Sequence, residues 1–401
     1  MIDHPYLSEL VSPTESKIVL LVVDGLGGLA RPETGKSELQ EARTPNLDDL
    51  ARRSACGMTV PVGPGITPGS GPGHLALFGY DPLKYVIGRG VLEALGIGIE
   101  LGIDDVAVRC NFCTVDDHGR LTDRRAGRIP SAESEPLVEQ LASITIDGVE
   151  IWVEPVQDYR FVVVFSGHEL GEDVGDTDPQ RTGVSPLEPL GRDQVSVATA
   201  EVAGQFIEAA RDILGSRQTA NMILMRGFSK IPAWPEFGAS YCLSPSAIAA
   251  YPMYRGLARL VGMDVIPTGL DFDAELDTLA GHLEQHDFAF IHYKSTDAAG
   301  EDGDFEAKVG AIEYLDSRIH RLLEMGPDVL AIAGDHSTPA IMAAHSWHPV
   351  PMLINSELTT GVGSGAFNER ACAAGPLGTQ PATSLMLQLL AHAGKLKKFG
   401  A

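Results

Sequence analysis

Three separated segments place acids and imidazoles directly after apolar runs. Asp24 follows "KIVLLVV" (17–23), Asp297 lies just past "FAFIH" (288–292), and Asp335 and His336 follow "DVLAIA" (328–333). Glu301, in the acidic stretch "STDAAGEDGDFEAK", and His345, in "HSWHPVP", complete the candidate set, with His348 the alternative to His345. Oxygen and imidazole donors without thiolate suit Mn²⁺, Mg²⁺ or Zn²⁺. Carboxylates gathered without a cation repel one another. Two divalent ions about 4 Å apart relieve that repulsion and can clamp an in-line phosphoryl transfer. Taken singly, Asp24-Gly25 is a common turn and the acidic stretch a solvated loop. Their repetition at strand ends argues for a site.

Such a site needs a nucleophile. The loop "VPVGPGITPGSGPG" (60–73) offers Thr67 and Ser70. Ser70 is favoured, because Gly69 and Gly71 let a phosphate approach and a helix is expected to begin near Pro72. Backbone N–H groups at a helix start favour an anion. His74 either orients this loop or fills the core. A second basic set lies in "TDRRAGRIP": Arg124, Arg125 and Arg128, with Arg226 and Lys294 as additions. Guanidinium forks match carboxylate and phosphate. The plain reading is a surface ion-pair network with Asp123 and Glu133. Asp176 and Asp178, in "GDTDP", read as turn residues.

The elements that must position these groups are legible as patterns. Short β-branched runs at 17–23, 288–292, 328–333 and 350–354 read as buried strands. "TPNLDDLARR" (44–53) reads as a helix capped by Thr44 with Pro45 in its first turn, and 304–324 carries apolar residues at helical spacing. Strands alternating with helices predict an α/β core with a mainly parallel sheet flanked by helices, whose sites form at the carboxyl ends of strands. The middle of the chain differs, with strands such as "VAVRCNFCTV" and "YRFVVVFSG" among acidic, turn-rich loops. We expect residues 1–105 and 221–401 to form the metal-binding core and 106–220 an inserted, smaller α+β cap domain that binds substrate. Cys110 and Cys113 form a C-x-x-C on a strand, which points them to opposite faces and makes them structural.

The motifs "VVDGLGG", "TPNLDDLA", "ITPGSGPGHLALFGYDP", "TDAAGEDGD", "GDHSTP" and "HSWHPVP" together resemble the alkaline phosphatase superfamily. Within it the chain is similar to the archaeal-type cofactor-independent phosphoglycerate mutases, a likeness extended by "GRGVLEALG", "DRRAGR", "DTDP" and "GMDVIPTG". The resemblance implies an alkaline-phosphatase-like core with a cap, and two divalent ions, Mn²⁺ or Mg²⁺. It implies that Asp24, Ser70, Asp335 and His336 serve one ion, and Asp297, Glu301 and His345 the other. It also implies interconversion of 3-phosphoglycerate and 2-phosphoglycerate through a phosphoserine. Position 301 departs from the family's D-x-x-G-H pattern, since glutamate stands where histidine is usual. That makes the site harder and favours Mg²⁺ or Mn²⁺.

Composition narrows the alternatives. The 401 residues carry a formal net charge of −24, which argues against nucleic acid or an anionic membrane as partner. The N-terminus lacks a signal-peptide pattern, no apolar run reaches membrane-spanning length, and five scattered cysteines do not suggest a disulfide framework. A cytoplasmic enzyme acting on a small phosphorylated acid is expected. The alternatives are a metal-dependent phosphatase or phosphotransferase, homoserine-kinase-like, acting on another small phosphorylated acid or alcohol, and a metal-free binding protein.

Overall fold

The computed structural model describes residues 1–359 and 363–400. Its strands, in chain order, are β1 (Ile18–Val23), β2 (Ala55–Val60), β3 (Val106–Val115), β4 (Leu121–Asp123), β5 (Glu150–Gln157), β6 (Arg160–Ser166) and β7 (Met222–Ser229). They continue with β8 (Pro245–Ile248), β9 (Asp264–Val265), β10 (Phe288–Tyr293), β11 (Val329–Ala333), β12 (Val350–Ser356) and β13 (Gly378–Pro381). The chain divides into two compact units, residues 1–86 with 234–401, and residues 87–233. Both limits lie outside the expected 106 and 220. The helix Arg89–Gly96 packs on β3 and β7, and β7 is hydrogen-bonded into the smaller unit's sheet.

The larger unit holds an eight-stranded sheet in the order β13-β2-β12-β11-β1-β10-β8-β9. β1 lies between β10 and β11, parallel to both. Every residue of "IVLLVV" is buried, as a central strand covered on both faces requires. The sheet is mainly parallel. The exception is β12, antiparallel to both β11 and β2. The expected strands therefore form, and β1, β10 and β11 deliver Asp24, Asp297 and Asp335 to one sheet edge. Leu21, Ile291, Ile332 and Leu353 share the core beneath that edge.

Two local expectations change. Thr44 precedes the helix Pro45–Ala51 but makes no side-chain cap. The Asp316 carboxylate instead accepts the Leu47 N–H at 2.8 Å, and Asn46 donates its side-chain amide to the same group at 2.9 Å. The single helix expected over 304–324 is two, Phe305–Asp316 and Ile319–Glu324. Arg318 stands between them at φ −105°, ψ −9°, its N–H bonded to the Leu315 carbonyl three residues back, and its guanidinium reaches Asp273 at 3.0 Å.

The smaller unit is an antiparallel sheet in which β3 pairs with β4, β6 and β7, and β6 with β5. The long helix Gln194–Leu214, capped by the Asp193 carboxylate on the Ser196 N–H, belongs to this unit. Phe112, Phe161, Phe165 and Phe206 fill the core. Cys110 and Cys113 are buried free thiols on β3. Among the described residues no helix is long and apolar enough to cross a membrane.

Candidate metal and phosphoryl-transfer site

The loops after β1 and β11 and the helix Ser295–Glu301 after β10 carry the strand-end acids into one buried cluster. Asp24, Asp335 and His336 are fully buried and Asp297 is almost so. Two groups of donor atoms lie close enough to hold an ion: Asp24, Asp335 and His336, and Asp297, His336 and His345. His336 Nε2 stands 3.3 Å from Asp24 Oδ1 and 3.1 Å from Asp335 Oδ2. Those two carboxylate oxygens are buried and accept no hydrogen bond among the described residues. Orphaned buried oxygens of this kind are costly, on the order of 1–3 kcal/mol or more each for charged groups. A divalent cation satisfies them, so the donor set fits a metal.

The second group has its own preparation. His345 Nδ1 pairs with the Pro68 carbonyl at 3.0 Å, which directs Nε2 toward Asp297 Oδ1 at 3.5 Å and Glu301 Oε1 at 3.4 Å. A backbone acceptor on one ring nitrogen fixes the other as a ligand. Burial alone lowers the His345 imidazole, but Glu301 and Asp297 outweigh it and push it up to about 9. Glu301 is more than half exposed, so it closes the solvent side of the cluster. His348 instead meets the Ser346 hydroxyl at 3.1 Å.

Ser70 opens the helix Ser70–Leu77 two residues earlier than Pro72 suggests. Its Oγ lies 3.1 Å from His336 Nε2, which makes it, and not Thr67, the hydroxyl that meets the cluster. The helix approaches so closely because residue 73 is glycine: a Cβ there would stand 2.2 Å from the Asp335 carbonyl oxygen. His74 is buried, with Nδ1 2.9 Å from the Ser70 carbonyl and 3.2 Å from Asp335 Oδ2. It therefore ties the serine helix to a metal-ligand candidate.

Lys294 bridges Asp24 and Asp297. Its Nζ is 2.9 Å from Asp24 Oδ2 and 2.5 Å from Asp297 Oδ2. Burial works against the ammonium, yet Asp24 and Asp297 hold it above the usual lysine range. Burial likewise works against the Asp24 carboxylate, but Lys294, with His292 and His336, keeps it well below the usual range. Asp297 is shifted upward by burial and by Asp24.

Sequence reasoning did not find Tyr254, His292 or Thr338. The Tyr254 hydroxyl donates to Asp24 Oδ2 and its ring stacks on His292 at 3.6 Å. Burial drives His292 down to about 4, so it is a neutral wall residue. Thr338 Oγ1 donates to Asp297 Oδ1 at 2.7 Å and meets His336 Nδ1 at 2.9 Å. One signal was available: His292 shares the inward period of Phe288 and Phe290 on β10, where an imidazole needs a polar partner.

The predicted arginines lie in the smaller unit. Arg124 grips Asp178 through two bonds of 2.8 and 2.7 Å, and Arg226 reaches Asp178 at 3.5 Å and Asp176 at 3.3 Å. Arg125 and Arg128 are exposed, and Asp123 bonds backbone N–H groups instead of a guanidinium. Two further arginines of this unit, Arg89 and Arg109, lie near enough to feel one another's charge. Arg89 is lowered by burial and then by Arg226, and Arg109 by burial and by Arg160 and Arg89, with Glu93 opposing both shifts. Arg89 is nevertheless exposed at its surface, and Arg109 Nε stands 3.6 Å from the Glu93 carboxylate.

A family model for 2,3-bisphosphoglycerate-independent phosphoglycerate mutase matches residues 51–220. Proteins described as probable 2,3-bisphosphoglycerate-independent phosphoglycerate mutases are similar over the whole chain. That of Thermotoga neapolitana is 52% identical over 100% of both chains, and that of Aquifex aeolicus 50% identical over 98% of this chain and 99% of its own. Among solved structures, the PH0037 protein of Pyrococcus horikoshii superposes with a TM-score of 0.83 at 29% identity, covering 96% of this chain and 99% of that one. The cofactor-independent phosphoglycerate mutase of Thermoplasma acidophilum gives 0.71 at 30% identity, covering 94% of this chain and 100% of that one. The chain belongs to the 2,3-bisphosphoglycerate-independent phosphoglycerate mutases, a family of enzymes.

Proposed function

We propose that this enzyme interconverts 3-phosphoglycerate and 2-phosphoglycerate without 2,3-bisphosphoglycerate, through a phosphorylated Ser70. The observation that carries the reading is Ser70 Oγ at 3.1 Å from His336 Nε2, beside the orphaned oxygens of Asp24 and Asp335. Two divalent ions, Mn²⁺ or Mg²⁺, held by Asp24, Asp335 and His336 with Ser70 and by Asp297, Glu301 and His345, would supply charge neutralisation and an acidified serine hydroxyl.

The chain's own groups do the rest. Ser70 Oγ bonds to phosphorus as the bond to the 3-oxygen of glycerate breaks, and the proton lost by serine ends on that oxygen. In the second half the 2-hydroxyl takes the phosphoryl group and serine regains a proton. Lys294, between Asp24 and Asp297, is placed to follow the changing charge. In the smaller unit, Arg124, Arg125, Arg128 and Arg226 are proposed to bind the anionic substrate. Arg226 is the strongest of these, because Asp176 and Asp178 orient its guanidinium.

A coupled assay for 2-phosphoglycerate from 3-phosphoglycerate tests this, run without bisphosphoglycerate on chelator-treated protein with and without Mn²⁺. Metal-restored isomerisation with little free phosphate supports the mutase. Free phosphate as the main product supports the phosphatase alternative instead.

A further inference from the structure

Lys308, on the helix Phe305–Asp316, is fully buried although no side chain of the proposed mechanism touches it. Its three N–H donors go to three backbone carbonyls: Gly25 at 2.9 Å, Gly27 at 3.0 Å and Thr338 at 2.8 Å. Gly25 and Gly27 belong to the loop that begins at Asp24. Thr338 belongs to the loop that begins at Asp335 and His336. One ammonium therefore spans both ligand loops and uses every donor it has.

The N–H groups of the same two loops are held from the other side by carboxylates. Glu369 Oε1 accepts from Gly28 at 2.9 Å, and its Oε2 accepts the Ser37 hydroxyl at 2.6 Å. Glu38 Oε1 accepts from Ala340 at 2.6 Å. Glu38 and Glu369 are the opposite charges that act most strongly on Lys308, ahead of Asp297 and Asp24. The Thr338 carbonyl bound by Lys308 is attached to the residue whose hydroxyl meets both Asp297 and His336.

We propose that Lys308, backed by Glu38 and Glu369, is a positioning residue that locks the two loops in ligating geometry and so sets the metal affinity of the site, not its chemistry. This rests on the metal reading above. Simple electrostatics predicts the reverse, because removing a cation near a cation site tightens metal binding. The sign of the effect therefore separates positioning from charge.

The test is Mn²⁺ binding to substrate-free protein, by calorimetry, for wild type, Lys308→Met and Lys308→Gln. Lys308→Met removes charge and donors, and Lys308→Gln removes charge but keeps two donors. The expected result is Mn²⁺ binding weakened by about tenfold or more in Lys308→Met and by less in Lys308→Gln. At saturating Mn²⁺, kcat stays within about threefold of wild type while the metal activation constant rises. Unchanged or tighter binding in a folded Lys308→Met protein overturns the proposal, as do equal losses in the two variants. Failure of both to fold also overturns it, since Lys308 then supports the whole unit rather than two loops. Wild-type protein that binds no Mn²⁺ removes the metal reading itself, and the proposal with it.

Discussion

At the residue scale, the site's logic is charge held apart from water. Asp24, Asp297 and Asp335 are buried together, and Lys294, with His345 beside Asp297, answers for only part of their charge. Glu301 adds a fourth carboxylate at the exposed rim, 3.4 Å from His345 Nε2. If it is a ligand, Glu301→Gln weakens Mn²⁺ at one of two sites by about tenfold or more and leaves the other intact. A calorimetric titration separates the two sites; two unaltered binding steps would remove Glu301 from the ligand set. Asp24, Asp297, Asp335 and His336 were legible because they follow apolar runs, and Glu301 and His345 through the acidic stretch and the resemblance. Their supports were not. Lys308 sits among apolar helix positions like any solvent lysine, and Thr338 and Tyr254 carry no motif. Their roles depend on partners from other segments, 283 residues away for Lys308 and Gly25 and 41 for Thr338 and Asp297.

At the scale of elements, helix Ser70–Leu77 depends on a missing side chain. Gly73→Ala places a methyl group against the Asp335 carbonyl. It should cost about 1–3 kcal/mol by overpacking, read as a lower urea midpoint, and should reduce turnover further by moving Ser70 from His336. An unchanged midpoint and full activity would mean that the helix has slack.

Helix Phe272–His282 carries a buried carboxyl, Glu275, which accepts the Ala250 N–H at 2.6 Å. Burial pushes Glu275 up to about 8 from an ordinary 4.5. Between those values the folded protein keeps a proton that the unfolded chain releases. The contribution of this carboxyl to stability is therefore full below the lower value and is lost as pH rises to the upper one. Glu275→Gln should lose less stability than wild type between pH about 5 and about 8.5. Parallel pH profiles of the urea midpoint would contradict this.

Element existence was readable where burial is two-sided, as in β1. Direction was not: the apolar run of β12 looks the same whether it pairs parallel or antiparallel. The limits of the smaller unit were missed for a similar reason. The helix "GRGVLEALG" and strand β7 have apolar faces that fit either core, and only packing on β3 assigns them.

For the whole molecule, the larger unit is built around a cluster that is electrostatically incomplete without cations. Chelation should lower the thermal midpoint, and saturating Mn²⁺ should raise it by roughly 5 °C or more, since a ligand that binds only the folded state stabilises it. A midpoint indifferent to both would mean that Lys294 and the histidines already balance the acids.

The most direct test of the central claim is to look for the covalent intermediate. Metal-loaded enzyme mixed with 3-phosphoglycerate is quenched in acid within one turnover, digested and mapped by mass spectrometry. A phosphoserine pathway predicts one added phosphoryl group on Ser70, absent without substrate and absent in Ser70→Ala, which should also be inactive. Active enzyme that never carries phosphate on Ser70, or a Ser70→Ala variant that still isomerises, would contradict it.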